Sequence, residues 1–169
     1  MARVPLAAVL ALLALLSAAS AHADESAMPY AQQALLVCEQ ADHVAPAQRE
    51  ALLQMGLRFA ERAVEIDHND AHAHFAVFCT LGKLVERQSI GLETMRNVRR
   101  LHHEVNQTLE LSPDHVPALL GKAQMLVRLP RWLGGDPDEA ARCLAHARAV
   151  QAAPPVRLAR IDTTISESK

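Results

Sequence analysis

The stretch "LPRWLGGDPDEA", residues 129–140, is where the chain ends one helix, turns and begins another. Pro130 ends the apolar helical run before it, because the residue that precedes a proline disfavours helical backbone angles. Two glycines follow. Asp136 then caps a new helix, with Pro137 at its first position and Glu139 placed to reach back and close a capping box. This order of residues predicts the bend of a helical hairpin.

Two similar restarts lie upstream of this bend. Asp70 precedes "AHAHFAVFCTLGKLVE", and Ser112 with Pro113 precedes "DHVPALLGKAQMLVRL". Asp or Ser as the N-cap, with Pro at the first helical position, is a standard helix start. Together with the apolar periodicity, these signals predict six helices in three hairpins. The predicted helices span about 28–41, 47–66, 71–87, 91–111, 116–129 and 137–151.

Three segments of about 15 residues align without gaps along the second helix of each predicted hairpin. They are "GLRFAERAVEIDHND" from Gly56, "LHHEVNQTLELSPDH" from Leu101 and "AARCLAHARAVQAAP" from Ala140. Spacings of four and three place their apolar and small residues on one helix face, where a neighbouring helix can come close. The predicted repeat-packing residues are Ala60, Ala63, Val105, Thr108, Ala140, Leu144 and Ala147.

The segments "GDPDEAARCLAHARAV" and "TLELSPDHVPALL" resemble tetratricopeptide repeats, helix–turn–helix units of about 34 residues. The resemblance covers roughly residues 45–151. It implies an all-α fold, a right-handed solenoid of about three helical hairpins. The repeats are degenerate, since equivalent positions 63, 108 and 147 lie 45 and then 39 residues apart. More narrowly, "KAQMLVRLPRWLGGDPDEAARCL" is similar to a segment of the periplasmic T-component proteins associated with TRAP transporters.

The first 23 residues have the pattern of a secretory signal peptide. Arg3 precedes an apolar stretch of residues 4–16, and Ala21-His22-Ala23 fits an A-x-A cleavage site. The stretch of about 13 residues is shorter than the roughly 20 that a membrane-spanning helix needs. The predicted domains are therefore a signal peptide at 1–23, a repeat domain at 24–153 and a C-terminal tail at 154–169, with a short capping helix as the alternative for the tail. The mature chain is predicted to be periplasmic or secreted.

The charge balance argues against a nucleic-acid partner. The chain has 17 Lys and Arg against 19 Asp and Glu, a formal net charge of −2. Without Arg3 the balance is 16 against 19, so the mature chain carries about −3, whereas nucleic-acid binders have a basic surplus. The run Arg96, Arg99, Arg100 and His103 shares one helix face. We interpret it as a solvated face; the alternative is a docking surface for an acidic partner or for lipid headgroups.

Three cysteines, Cys38, Cys79 and Cys143, each lie inside an apolar helical pattern. The leading interpretation is that each is a small buried hydrophobic residue. The alternative is a Cys38–Cys79 disulfide, which an oxidising compartment permits.

Motifs for catalysis or for metal binding are incomplete. His103-Glu104 begins the zinc-protease pattern H-E-x-x-H, but Gln107 stands where the second histidine is needed. We interpret His68, His72 and His74 as solvated or helix-end residues, with incidental metal binding as the alternative. The sequence therefore predicts no catalytic residue, no metal and no cofactor.

The tetratricopeptide resemblance implies a concave binding surface lined by the first helix of each hairpin. On this register Phe75 and Leu120 would provide apolar contact, and Lys83 and Arg128 would attract anions. The alternative is that Phe75 and Leu120 belong to the core. The candidate groove residues are His72, Phe75, Lys83, Leu120, Gln124 and Arg128.

The predicted function is a non-catalytic exported module that binds a protein or peptide, such as a partner helix, in this groove. The alternative is an accessory subunit of a periplasmic solute transport system of the TRAP type. The sequence leaves the oligomeric state open.

Overall fold

The computed structural model describes residues 26–86 and 91–153, and these residues are helical, with short turns and no strand. The predicted signal peptide and the predicted tail lie outside the described residues. Six α-helices and one short 3-10 helix occur in chain order. The α-helices are α1 (Ala27–Gln40), α2 (Pro46–Ile66), α3 (Ala71–Val85), α4 (Leu92–Leu111), α5 (Val116–Arg128) and α6 (Pro137–Ala152), with the 3-10 helix at Arg131–Leu133.

The predicted all-α class is confirmed, and each predicted helix end lies within two residues of the observed one. Helix α3 begins as expected, because the Asp70 side chain accepts a hydrogen bond from the backbone N–H of His72 at 2.8 Å. Such a cap satisfies one of the backbone donors that a helix start leaves without a partner. Local signals therefore set most of the helix boundaries.

The cap of α6 is formed by Asp136 alone. Its Oδ1 accepts hydrogen bonds from the backbone N–H groups of Asp138 and Glu139, both at 2.9 Å. The predicted reciprocal bond from Glu139 is absent: the Glu139 carboxylate pairs with Lys122 Nζ at 2.5 Å. The Asp136 N–H instead donates to the Leu126 carbonyl at 3.2 Å. The capping box was thus a wrong prediction, because a cation on α5 competes for the glutamate.

Helix α5 begins at Val116, as its predicted bounds had it, but Ser112 and Pro113 are not its cap and first residue, as the start signal suggested. These two residues lie in the preceding turn, and the N-cap is His115, whose Nδ1 accepts a hydrogen bond from the Ala118 N–H at 3.1 Å. The proline of the first turn is Pro117. A titratable side chain, that of His115, therefore lies at the start of α5.

The turn between α5 and α6 requires both of its glycines. Gly134 has a φ of 90°, in the left-handed region that side chains disfavour. A Cβ on Gly135 would lie 1.9 Å from the carbonyl oxygen of Leu129. The chain can therefore fold back tightly after Pro130 only with residues that lack a side chain.

Small side chains let the helices pack closely. Helix α1 packs on α2 and α3, α3 on α2 and α4, and α5 on α6 and, less extensively, on α4. A Cβ on Gly56 of α2 would lie 3.1 Å from both Val37 and Thr80, so α2 sits tightly against α1 and α3. All of the residues expected to pack between repeats lie in the interior except Leu144, which is partly buried. The buried ones are Ala60, Ala63, Val105, Thr108, Ala140 and Ala147.

Helix α5 also meets α3 at a close contact. A Cβ on Gly121 would lie 2.6 Å from Cε1 of Phe78, so the phenyl ring packs against bare backbone. Phe78, Leu101, Val105 and Ala118 form one buried cluster from three helices. This cluster joins the last hairpin to the rest of the core.

A disulfide between Cys38 and Cys79 links α1 to α3, with 6.6 Å between their Cα atoms. The leading interpretation of these two cysteines as buried hydrophobic residues was therefore wrong, and the alternative disulfide is the observed state. Cys143 of α6 is a buried free cysteine that packs near Leu119 and Leu126. Its burial raises the pKa of the thiol above the ordinary value.

Candidate functional site

The six candidate groove residues lie on α3 and α5, and they differ in how far they reach solvent. Leu120 is 42% exposed. The side chains of His72, Gln124 and Arg128 are exposed, whereas Phe75 and Lys83 are partly buried.

The two cations expected to attract an anion are both paired inside the chain. Lys83 Nζ donates hydrogen bonds to the carbonyl oxygen of Cys38 at 2.8 Å and to Asp42 Oδ2 at 2.6 Å. Arg128 forms an ion pair with Glu86. Lys83 therefore links the C-terminal end of α1 to α3. The charges of Lys83 and Arg128 are both paired with a carboxylate. Apolar side chains are left as the main feature open to a partner.

Aromatic and histidine rings meet where α3 and α5 begin. The ring of His115 lies 4.7 Å from that of Phe75 and 5.4 Å from that of His72, measured between centroids. Phe75 also contacts Phe78, with 6.3 Å between ring centroids. Phe75 thus contacts the core on one side and the ring group on the other. It is therefore partly a core residue and partly a surface residue, the two alternatives given for it from the sequence.

The ring group has an electrostatic consequence for His115. Burial, and then the positive charge of His72, lower the pKa of His115 below 6.5. Its Nδ1 accepts the Ala118 N–H, so the proton of the neutral ring is on Nε2. The neutral form is the one that caps α5.

We expect replacement of His115 by asparagine to reduce the pH dependence of stability. Because the folded-state pKa is lowered, the unfolded chain binds more protons as pH falls through 6.5, and the native chain loses stability on acidification. Asparagine can cap the helix but does not titrate. Urea unfolding at about pH 7.5 and about pH 5.5 should show a smaller difference for His115→Asn than for the parent chain. An equal difference in both chains would contradict the assignment.

A row of exposed side chains runs along α5. Leu120 and Val127 are 42% and 64% exposed, and Gln124 lies between them. Spacings of four and three residues place all three on one helix face. We call these three residues the α5 row.

The largest difference from expectation is a buried contact between His74 and Glu104. His74 was interpreted as solvated, but it is only 5% exposed, and its Nδ1 lies 2.7 Å from Glu104 Oε2. Its Nε2 lies 3.0 Å from the carbonyl oxygen of His68. Arg100 donates from Nε to Glu104 at 3.4 Å and from Nη1 to Glu61 at 2.7 Å. These contacts connect α2, α3 and α4.

Both ring nitrogens of His74 have an oxygen partner, the Glu104 carboxylate on one side and the His68 carbonyl on the other. Burial lowers the pKa of Arg100, but the carboxylates of Glu61 and Glu104 outweigh it, and the pKa is raised overall. His74 and Glu104 are buried, with 5% and 6% of each residue exposed. One sequence signal could have located the pair: Glu104 lies on the same face of α4 as the apolar Leu101 and Val105.

A cleft of about 300 Å³ lies between α2 and α4, and residues of α3 also line it. The sequence did not indicate this cleft. Leucines form its apolar part, Glu50 and Glu93 lie near the start of the two helices, and Arg100 lies further along. Its volume is at the lower limit for small-molecule sites. Its lining residues are Glu50, Leu53, Gln54, Leu57, Leu81, Leu84, Glu93, Asn97 and Arg100.

The described part of the chain lacks a metal site and a membrane-spanning helix. Among residues 26–86 and 91–153, no three His, Cys, Asp or Glu side chains come together as a metal site. In the same residues, no helix combines the length and the apolarity needed to cross a bilayer.

No protein-family model matches the chain, and no curated protein is significantly similar to it.

Proposed function

We propose that the chain is a non-catalytic, exported interaction module of the tetratricopeptide type, which binds a peptide or partner helix along α3 and α5. The observation that carries the proposal is the α5 row, in which Leu120 and Val127 hold apolar surface open to solvent. Exposed apolar side chains aligned on one helix face are typical of sites that accept an amphipathic helix.

Two other observations support parts of the proposal. Successive helices pack against each other through small residues, which is how a stack of hairpins acquires a continuous core. The Cys38–Cys79 disulfide suits an oxidising compartment, and therefore an exported protein. The predicted signal peptide also predicts export.

The chemistry of the partner follows from the surface. The two nearby cations are paired with carboxylates, so contact depends on apolar packing instead of on attraction to an acidic group. The ring group at His72, Phe75 and His115 lies next to the beginning of α5 and adds aromatic surface. We infer a partner helix with an apolar face of about two turns.

The test is affinity capture from the native extract with the immobilised chain and with a charged variant of the α5 row. In Leu120→Glu with Val127→Glu, we expect partner affinity to fall by roughly tenfold or more, because buried apolar anchors dominate binding. A matched control is Met28→Glu with Leu36→Glu on α1, where the parent residues are 56% and 57% exposed. Retention of every partner by the α5 variant would count against the proposal.

The alternative proposal is an accessory subunit of a solute transport system, and the cleft between α2 and α4 is the observation in its favour. Its lining is a poor match for organic acids, because Glu50 and Glu93 add negative charge and Arg100 is already paired with Glu61 and Glu104. Calorimetric titration with small organic acids tests it. Binding that is lost in Arg100→Gln would favour this alternative, and no detectable heat would oppose it.

A further inference from the structure

One exposed stripe on α4 is not used by the proposed groove. Leu92 is 74% exposed, and Arg96, Arg99 and His103 follow it at spacings of four, three and four residues. These spacings keep the four side chains on one helix face. Within residues 26–86 and 91–153, the three basic side chains of the stripe make no ion pair.

The turn between α5 and α6 extends this stripe. His102 Nε2 lies 3.3 Å from the carbonyl oxygen of Leu133, which brings the turn against α4 beside Arg99. The residues before Leu133 are Arg131, which is exposed, and Trp132, which is 66% exposed. We define the Trp132 surface as Leu92, Arg96, Arg99, His103, Arg131 and Trp132.

Several carboxylates of neighbouring elements are already engaged, whereas Glu93, three residues before Arg96 on α4, is exposed. Glu104 and Glu61 bind Arg100, and the Asp136 carboxylate accepts two backbone N–H groups. The hydrogen bond from the Glu139 N–H has the largest effect in lowering the pKa of Asp136, and the charges of Arg142 and Arg131 lower this pKa further. Glu110, at the far end of α4, accepts a hydrogen bond from Gln107. Arg96 and Arg99 therefore keep their charge open to an anionic partner.

We propose that the Trp132 surface docks on anionic phospholipid headgroups. Tryptophan favours the level of the headgroups in a bilayer, and arginines near an anionic membrane surface each strengthen binding severalfold. Leu92 and Trp132 project from the outer face of a helix and from a turn. That arrangement suits a flat lipid surface better than it suits an acidic peptide, which needs a groove. The chain would be held at the membrane without spanning it, with the α5 row as a separate site.

The test uses the intrinsic fluorescence of the full chain, because Trp132 is its only tryptophan. Titration with vesicles of phosphatidylcholine containing about one quarter phosphatidylglycerol should shift the emission to shorter wavelength. Brominated lipid should quench it, and added salt should weaken binding. Vesicles of phosphatidylcholine alone should have little effect.

Paired variants assign the binding to this surface. Arg99→Gln with Arg131→Gln should weaken vesicle binding roughly thirtyfold, because each arginine near an anionic membrane contributes about 1 kcal/mol to binding. Arg58→Gln with Arg148→Gln removes the same charge from exposed positions on α2 and α6, and it should bind like the parent. The apolar N-terminal stretch is present in every variant and cannot cause a difference between them.

Three results would overturn the proposal. The first is a Trp132 emission that does not change with phosphatidylglycerol vesicles. The second is equal affinity in the Arg99 and Arg131 variant and in its control. The third is binding of polyglutamate without binding of vesicles, which would assign the surface to an acidic polypeptide.

Discussion

Replacing Cys38 and Cys79 together by alanine should lower the free energy of unfolding by about 4 kcal/mol. The two cysteines are 41 residues apart, so the disulfide closes a long loop and restricts the unfolded chain. For a domain of this size the loss corresponds to a fall in melting temperature of roughly 10–15 °C. Urea and thermal unfolding of the parent and of the double variant measure it.

Reductant provides the control for this prediction. The parent chain should lose a similar amount of stability in dithiothreitol, whereas the double variant should not respond. In the denatured parent without reductant, only Cys143 should react with a thiol reagent. Three reactive thiols in protein taken from its own compartment would contradict the disulfide.

The second large effect is expected at the buried pair of His74 and Glu104. Glu104→Ala should destabilise the chain by about 3–5 kcal/mol, because it leaves a buried histidine facing an empty space. The two side chains are 6% and 8% exposed. Glu104→Gln should cost less, since its amide oxygen still accepts the proton of His74 Nδ1.

An exposed pair of the same chemistry is the matched control. His146 and Asp114 lie 2.8 Å apart, with side chains 44% and 73% exposed. Asp114→Ala should therefore cost less than about 1 kcal/mol. If chemical denaturation gives equal losses for Glu104→Ala and Asp114→Ala, the buried pair does not stabilise the junction of α3 and α4.

The helices could be predicted because their signals are local. Asp70 and Asp136 cap through atoms two or three residues away, and the apolar face of each helix repeats every three to four residues. Where the local signal was ambiguous, prediction failed: Ser112 and Pro113 resemble a helix start, but His115 caps α5.

The site could be predicted only in part, because its chemistry depends on distant partners. The register implied by the tetratricopeptide resemblance gave Leu120 as an apolar candidate for the groove, and Leu120 is exposed. It could not show that Lys83 would meet Asp42, 41 residues away, or that His74 would meet Glu104, 30 residues away. Opposite charges neutralise each other where the fold brings them together and stay open to a ligand where it does not, and only the packing of the helices distinguishes these two cases.

The disulfide and the Lys83 contacts both hold α1 to α3, and within the described residues no disulfide reaches the α5–α6 hairpin. The hairpin that carries the α5 row is therefore attached to the other helices by the backbone, by packing such as that of Phe78 on Gly121, and by polar contacts such as that of His102 with Leu133. Reduction of the disulfide removes a link between α1 and α3 and leaves these contacts of the hairpin in place.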